Sequence, residues 1–383
     1  MADVRAILSR NIRSGRERYG LRQEDLAGAI GVKTAETISQ IERGDREVKA
    51  RELVEIARAL HVDMMDLLSE EGLPPALEPL WRKTDDCEDW EAEAILSERA
   101  ERFSILTGMV EAASAETLPL YSDFRIEHAT YEDAGLLGER VRVDLRLGDV
   151  PARTIMDVLE DRYGVLIFCH DMQEGGSGLS ARKPYGPVMQ LRKSEAPWRR
   201  VFSCAHELFH LVTPDATEDG QPVRSSSTCE WADKLAGAFA SSLLMPESAL
   251  RAKLPSSAKR GTLEVLDVVA LAMWFGVSTS ALLWRLVNLG VVSRETVRDR
   301  LEDPEFRIQN QTAISGRAWV PQELPKRFVT LAFIAFKQGL ISRARLAAFL
   351  ETDLVVLPQL LEGYGLDIAI DESYATAGAD TRR

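Results

Sequence analysis

The stretch Phe202-Ser-Cys-Ala-His-Glu-Leu-Phe-His210 decides how this chain is read. Residues four apart lie on one face of a helix, so His206 and His210 can present two imidazoles to one metal ion. Glu207 sits beside them, where a carboxylate can take a proton from an attacking water. Phe202, Ala205 and Phe209 mark the side of the helix that would be buried. The chain has only five histidines in 383 residues, and two of them stand here.

A catalytic zinc site wants three protein ligands and one open position. Downstream, the run Cys229-Glu-Trp-Ala-Asp233 leads through Phe239-Ala-Ser-Ser-Leu-Leu-Met-Pro246 and offers two carboxylates, Glu230 and Asp233, three residues apart on a helix. Either can be the third ligand, and Glu230 can alternatively orient a histidine from behind. The oxyanion of a hydrolytic reaction needs a further donor. His170, Arg182 and Tyr185 stand in the strand and turn region before the histidines, and nothing in the sequence chooses among them.

Working outward, the length predicts two to four domains. A hydrophobic content of 45% and a charged content of 28% are ordinary for a soluble globular protein. No run of about 18 apolar residues occurs, and the N-terminus lacks the apolar stretch of a signal peptide. The four cysteines, Cys87, Cys169, Cys204 and Cys229, form no CxxC pair, which predicts a cytoplasmic protein without a cysteine metal site. The net charge of −13 argues against nucleic-acid binding by the chain as a whole. The charge is uneven, however. Residues 1–70 hold 12 Lys and Arg against 13 Asp and Glu, so almost all the excess negative charge falls on the remainder. Within the first twenty residues, five arginines face only Asp3 and Glu17.

Residues 4–71 read as short helices. The first carries Ile7, Leu8 and Ile12 and is closed by Gly20. The second runs from about Arg22 to Ile30, the third from about Ala35 to Arg43 with Gly44 as its stop, and the fourth from about Lys49 to Leu60. Gly72–Pro79, with three prolines, is a linker, and a charged helical stretch follows over about 86–114. Beyond 128, a helix over Pro151–Tyr163 precedes a strand at Val165–Cys169, a turn at Gly175–Gly178 and a second strand at Pro187–Leu191. The histidine helix, a helix over Thr228–Leu244 and an apolar helical region at 264–300 complete this part. Ala318–Pro325 opens a small helical C-terminal unit, and the last dozen residues are frayed.

Gln23-Glu-Asp-Leu26-Ala27, Ile30-Gly31-Val32 and Thr37-Ile38-Ser39-Gln40-Ile41-Glu42-Arg43-Gly44 resemble the Xre/Cro-type helix-turn-helix family. The resemblance implies that Gln23 meets a phosphate, that Thr34, Thr37 and Gln40 face the major groove, and that Arg13 and Arg43 lie near the DNA backbone. Glu36 is a liability there, because a carboxylate repels phosphate. It further implies DNA as a partner and a homodimer for specific recognition.

Val188–Leu191, Arg199–Phe202, Ala205–His210, Phe239–Pro246 and the later Phe275-Gly-Val-Ser278 with Ala281-Leu-Leu and Arg285-Leu resemble the ImmA/IrrE family of zinc metallopeptidases. The family's acidic ligand falls six residues before the phenylalanine of its Phe-Ala-x-x-Leu-Leu-Met-Pro run, which here is Asp233, with Glu230 as the alternate. The implied site is therefore His206, His210 and Asp233 on zinc, with Glu207 as the catalytic base.

The expected fold is mainly α, of the α+β class. It comprises a five-helix helix-turn-helix domain at 1–71, a linker and helical connector at 72–127, a zincin-like metallopeptidase domain with a small β-sheet at 128–315, and a helical region at 316–383. The expected function is a zinc-dependent endopeptidase and transcriptional regulator acting on a protein substrate, often an Xre-type repressor. The alternatives are a transcription factor whose peptidase-like domain is a non-catalytic sensor, and a component of a toxin–antitoxin or phage-defence system. Self-cleavage near Pro74–Pro79 is a further expectation.

Overall fold

A computed structural model describes residues 4–32, 34–77, 90–110, 115–172, 178–214, 226–255, 264–308 and 322–367. The chain is mainly helical with one small sheet, and it forms two compact units. The first takes the described residues up to 77 together with 90–105 and 183–185. The second takes the remainder.

The first unit contains α1 (Val4–Arg18), α2 (Gln23–Ala29), α3 (Ala35–Arg43), α4 (Ala50–Ala59) and α5 (Met64–Leu67), with most of α6 (Trp90–Val110). Their order and bounds follow the helical spacing of the sequence closely. Ile12, Leu26, Ile38, Ile41, Ile56, Leu60 and Leu67 are fully buried and make the core. Two polar ties hold the helices in register. The buried Asn11 amide donates to the carbonyls of Asp66, Leu67 and Ser69, closing α1 onto the end of α5. The Ser9 hydroxyl donates to the Ile41 carbonyl at 2.6 Å, fixing α1 on α3.

In the second unit, β1 (Leu166–His170) pairs in parallel with β3 (Val188–Arg192), and β2 (Gly178–Ala181) pairs antiparallel with β3. The order β1-β3-β2 leaves β2 at one edge. β2 was not expected: the sequence predicts a turn through Gly178, and Gly175–Ser177 lie outside the described residues. Its Gly-Leu-Ser-Ala run has no β-branched residue, so its strand character comes from pairing with β3.

The same unit contains α7 (Tyr131–Asp144), α8 (Ile155–Asp161), α9 (Pro197–Val212) and α10 (Ser226–Leu244), and α8 and α9 pack on the sheet. The sequence reading assigned no element to α7, although Thr130 and Asp133 form a reciprocal cap at its start. The expected helix from Pro151 begins as a single 3-10 turn, with α8 proper opening at Ile155. α10 packs between α7 and α9. Gly138 is what lets α7 approach: a Cβ there would stand 2.7 Å from the Phe239 carbonyl oxygen and 3.1 Å from the Leu243 nitrogen. These are backbone atoms, and they cannot yield cheaply.

α11 (Glu247–Lys253), α12 (Val265–Phe275), α13 (Thr279–Asn288) and α14 (Arg294–Glu302) follow. The predicted helical region at 264–300 is thus three helices, broken at Gly276 and Gly290, both of which have positive φ. α15 (Lys326–Lys337), α16 (Arg343–Phe349) and α17 (Leu357–Gly363) make the C-terminal part. It covers the β1 side of the sheet. The Cys169 amide donates to the Glu323 carbonyl at 2.9 Å, and Phe168 meets Phe328 edge to face at 5.8 Å. The expected opening at Ala318–Pro325 and the frayed last dozen residues fall mostly outside the described residues.

Glu160 on α8 accepts the Lys326 amide at the start of α15, at 3.2 Å. A helix N-terminus favours an ionised carboxylate. Burial acts the other way and is the larger effect, pushing the Glu160 carboxyl from its ordinary 4.5 to about 8. A carboxyl raised in the folded state stabilises fully below its unfolded pKa, and that contribution is lost as pH climbs from about 4.5 to about 8. Glu160→Gln is therefore expected to flatten the fall in stability across this window, read as urea midpoints at a series of pH values. A variant that falls as steeply as wild type contradicts the assignment.

Candidate metal centre

α9 starts cleanly because Pro197 occupies its first turn, where its missing N–H costs nothing. Its approach is pinned by Arg200, whose side chain is only 2% exposed and donates through Nη1 to the carbonyls of Lys193 (2.8 Å) and Glu195. The same helix turns Ala205, Leu208, Phe209 and Val212 into the core. Cys204 is also wholly buried, and burial pushes its thiol far above the ordinary range, so it is no thiolate donor beside His206.

Phe209 is the hinge of the packing. It meets Phe239 of α10 at 5.5 Å and Phe124 edge to face at 5.6 Å. Docking these rings brings the preceding turns of α10 alongside the histidines. The His206 and His210 rings stand 5.3 Å apart, and His206 Nε2 lies 3.0 Å from Asp233 Oδ1. The candidate ligand atoms of His206, His210 and Asp233 all lie within 4.8 Å of one another. Tetrahedral zinc with bonds of about 2.1 Å would hold its ligand atoms about 3.4 Å apart, so this donor set fits a zinc ion with small adjustments. Glu230, the alternate third ligand, is exposed and stands outside that group. Three residues along a helix rotate a side chain by about 60° from Asp233, enough to aim it elsewhere.

Glu207 is 7% exposed, and its Oε2 accepts the Ser180 hydroxyl of β2 at 2.7 Å. Sequence reasoning missed Ser180, because a lone serine in a short polar-looking run carries no signal. Of the three suggested oxyanion donors, Arg182 donates to the Leu211 carbonyl near the end of α9. Tyr185 belongs to the first unit, where its hydroxyl donates to the Pro75 carbonyl at 2.8 Å. His170 ends β1 opposite Arg192.

In the first unit, α2 and α3 stand in helix-turn-helix order, with Thr34 as the N-cap residue of α3. Gln23 donates to Glu42 at 2.8 Å. Thr34 and Thr37 bring their hydroxyls within 3.3 Å, and Gln40 is half-buried on the same helix. Arg43 pairs with Glu36 at 3.1 Å and with Asp45 at 2.9 Å. A groove of about 770 Å³ beside α1 is lined by Arg5, Arg10, Arg13, Arg18 and Arg43 together with Glu17 and Glu42.

The family described as Helix-turn-helix matches residues 12–67, and that described as IrrE N-terminal-like domain matches residues 160–287. This is a chain of the Xre-type helix-turn-helix family, joined to a domain of the ImmA/IrrE type. The first part is similar to Control protein C.SmaI of Serratia marcescens, with 37% identity over 71 residues, or 18% of this chain and 83% of that protein. A solved Mycobacterium tuberculosis transcriptional regulator aligns with a TM-score of 0.29 at 18% identity, covering 49% of this chain and 51% of that one. The chain thus spans about half of that structure. This chain joins a helix-turn-helix region to a region that matches a domain of a metallopeptidase family. Among the described residues no single helix is long and apolar enough to cross a membrane.

The helix-turn-helix core rests on one ion pair. Arg16 meets Glu42 through Nε at 2.6 Å and Nη2 at 3.1 Å, with side chains 11% and 5% exposed. Without Glu42 the guanidinium keeps only the Leu21 carbonyl and the more exposed Glu17, and the loss of its main partner costs about 1–3 kcal/mol. Glu42→Ala is expected to lose that much of the first unit's stability in thermal unfolding. Glu42→Gln, which can still accept from Arg16 and Gln23, should lose clearly less.

Proposed function

We propose that this protein is a zinc endopeptidase whose helix-turn-helix domain directs it to DNA. The observation that carries the reading is the convergence of His206, His210 and Asp233 beside the buried carboxylate of Glu207. The first three would hold zinc, in the place of the proton that now joins His206 to Asp233. Bound there, zinc supplies Lewis acidity, lowering the pKa of water and polarising a carbonyl. Glu207 takes the proton of the attacking water and returns it to the departing amine. His210, 4% exposed, and the Phe209 ring against it exclude bulk water from the inner side.

The substrate is a protein segment in extended form. β3 occupies the inner edge of β2, the Glu323 backbone bonds β1 at Cys169, and among the described residues no strand pairs with the outer edge of β2. An open edge of this kind pairs with an extended peptide through main-chain hydrogen bonds, next to the strand that holds Glu207. A repressor of the same helix-turn-helix class is the substrate this reading favours.

On DNA, Gln23, Thr34, Thr37, Gln40 and Arg43 are the contact set. The partners of Arg43 are no obstacle, since exposed, solvent-screened ion pairs are weak and exchange readily for a phosphate. Glu36 limits affinity, and a dimer would compensate by contacting two half-sites.

Metal analysis is expected to find about one zinc per wild-type chain. Asp233→Ala should weaken zinc binding by more than about tenfold, while Glu230→Ala keeps it. Glu207→Gln should keep its zinc and lose cleavage of a mixed fluorogenic peptide pool. Zinc loss in Glu230→Ala alone would move the third ligand, and an active Glu207→Gln would end the peptidase reading. In binding-site selection from random duplexes, Thr37→Ala and Gln40→Ala should relax sequence preference. Arg43→Ala should instead weaken all sites alike and reduce the salt slope by about 1.

A further inference from the structure

We propose that Ser180 is a positioning residue for the reaction, and that β2 fixes the catalytic carboxylate through Ser180 and Gly178 together. The inference rests on the peptidase reading and names a part of the machinery that the histidine motif does not contain.

Alternate residues of a strand share a face, so Gly178 and Ser180 point the same way, toward α9. Ser180 is fully buried and spends its one hydroxyl proton on Glu207 Oε2 at 2.7 Å. Gly178 contributes the absence of a side chain: a Cβ there would lie 2.7 Å from Glu207 Oε1, 2.7 Å from Cγ and 3.0 Å from Cδ. One oxygen is therefore held by a donor while the other lies against a bare Cα. The glutamate side chain has three rotatable bonds, and a base that must meet one water in one direction loses rate when they are free. A misplacement of about 1 Å can cost roughly 100-fold.

The same geometry separates positioning from folding. The three atoms nearest to a Cβ at 178 all belong to the Glu207 side chain, the far end of which can swing away. Gly178→Ala should thus fold normally and displace the carboxylate. Ser180→Ala removes the donor, and Ser180→Thr keeps it.

The test uses the full-length chain. With zinc loaded, cleavage of the fluorogenic peptide pool gives kcat and KM; chelator competition gives zinc affinity. Crystal structures of the metal-free variants report where Glu207 lies. We expect Ser180→Ala and Gly178→Ala to lose roughly 10- to 100-fold in kcat with KM, zinc affinity and Tm near wild type. Ser180→Thr should restore most of the rate, and in Ser180→Ala the carboxylate should leave its place beside residue 178. A Ser180→Ala protein with wild-type kcat, or one whose loss follows zinc loss, overturns the proposal alone. A zinc-loaded wild type that cleaves nothing overturns the peptidase reading, and this proposal with it.

Discussion

The contact between Phe209 on α9 and Phe239 on α10 is the interaction on which the second unit depends. Each ring is fully buried and removes a large apolar surface from water, worth about 1.5–3 kcal/mol per side chain. Its larger consequence is geometric. Two helices locked at one aromatic contact have little freedom to slide, so positions a turn or two away are set with them. Asp233 is six residues before Phe239, and His206 and His210 flank Phe209. The contact that closes the core therefore also brings a carboxylate onto an imidazole at 3.0 Å. Gly138 extends the same logic to the far side of α10, where α7 approaches backbone to backbone.

Placing ionisable groups so near a core has a cost, because unmatched buried polar groups are penalised by several kcal/mol. The fold answers it with partners of matching chemistry. Glu207 has the Ser180 hydroxyl, His206 has Asp233, and Arg200 has the carbonyls of its own approach loop. The sheet contributes in two ways. Its inner face supplies Ser180 and Gly178 to the site. Its β1 side is closed by the C-terminal helices through Cys169 and Phe168, which leaves β2 as the edge on the site's side of the sheet.

What could be read in the sequence was whatever is periodic. The first four helices of the first unit, α9 with its paired histidines and α10 with its Phe-Ala-x-x-Leu-Leu-Met-Pro ending are periodic, and the observed elements follow them to within a few residues, whereas the single turn of α5 is too short to show a period. What could not be read depends on distant partners. β2 has no strand-forming residues and exists because β3 lies beside it. Ser180 matters only because α9 crosses that strand. As carboxylates three residues apart Glu230 and Asp233 differ only through the family resemblance, which favours Asp233, and the rotation of α10 is what puts Asp233 and not Glu230 beside the histidines. α7 was legible in principle from its Thr130/Asp133 cap, but its exposed Leu136 and Val143 blur the apolar stripe that marks a helix.

The charge distribution explains how one acidic chain can include a DNA-reading domain. Nearly all the net charge of −13 belongs to residues beyond 70, while residues 1–70 are close to neutral. Within it the arginines are not bare. Arg16 is committed to Glu42 inside the fold, whereas Arg13 and Arg43 rest on exposed carboxylates. The buried pair is structural and gains nothing from DNA. The exposed pairs are reserves, because a phosphate can displace a solvated carboxylate at little cost. The proposed base contacts, Thr34, Thr37 and Gln40, are uncharged, which would suit a protein whose larger, acidic part is itself repelled by nonspecific DNA.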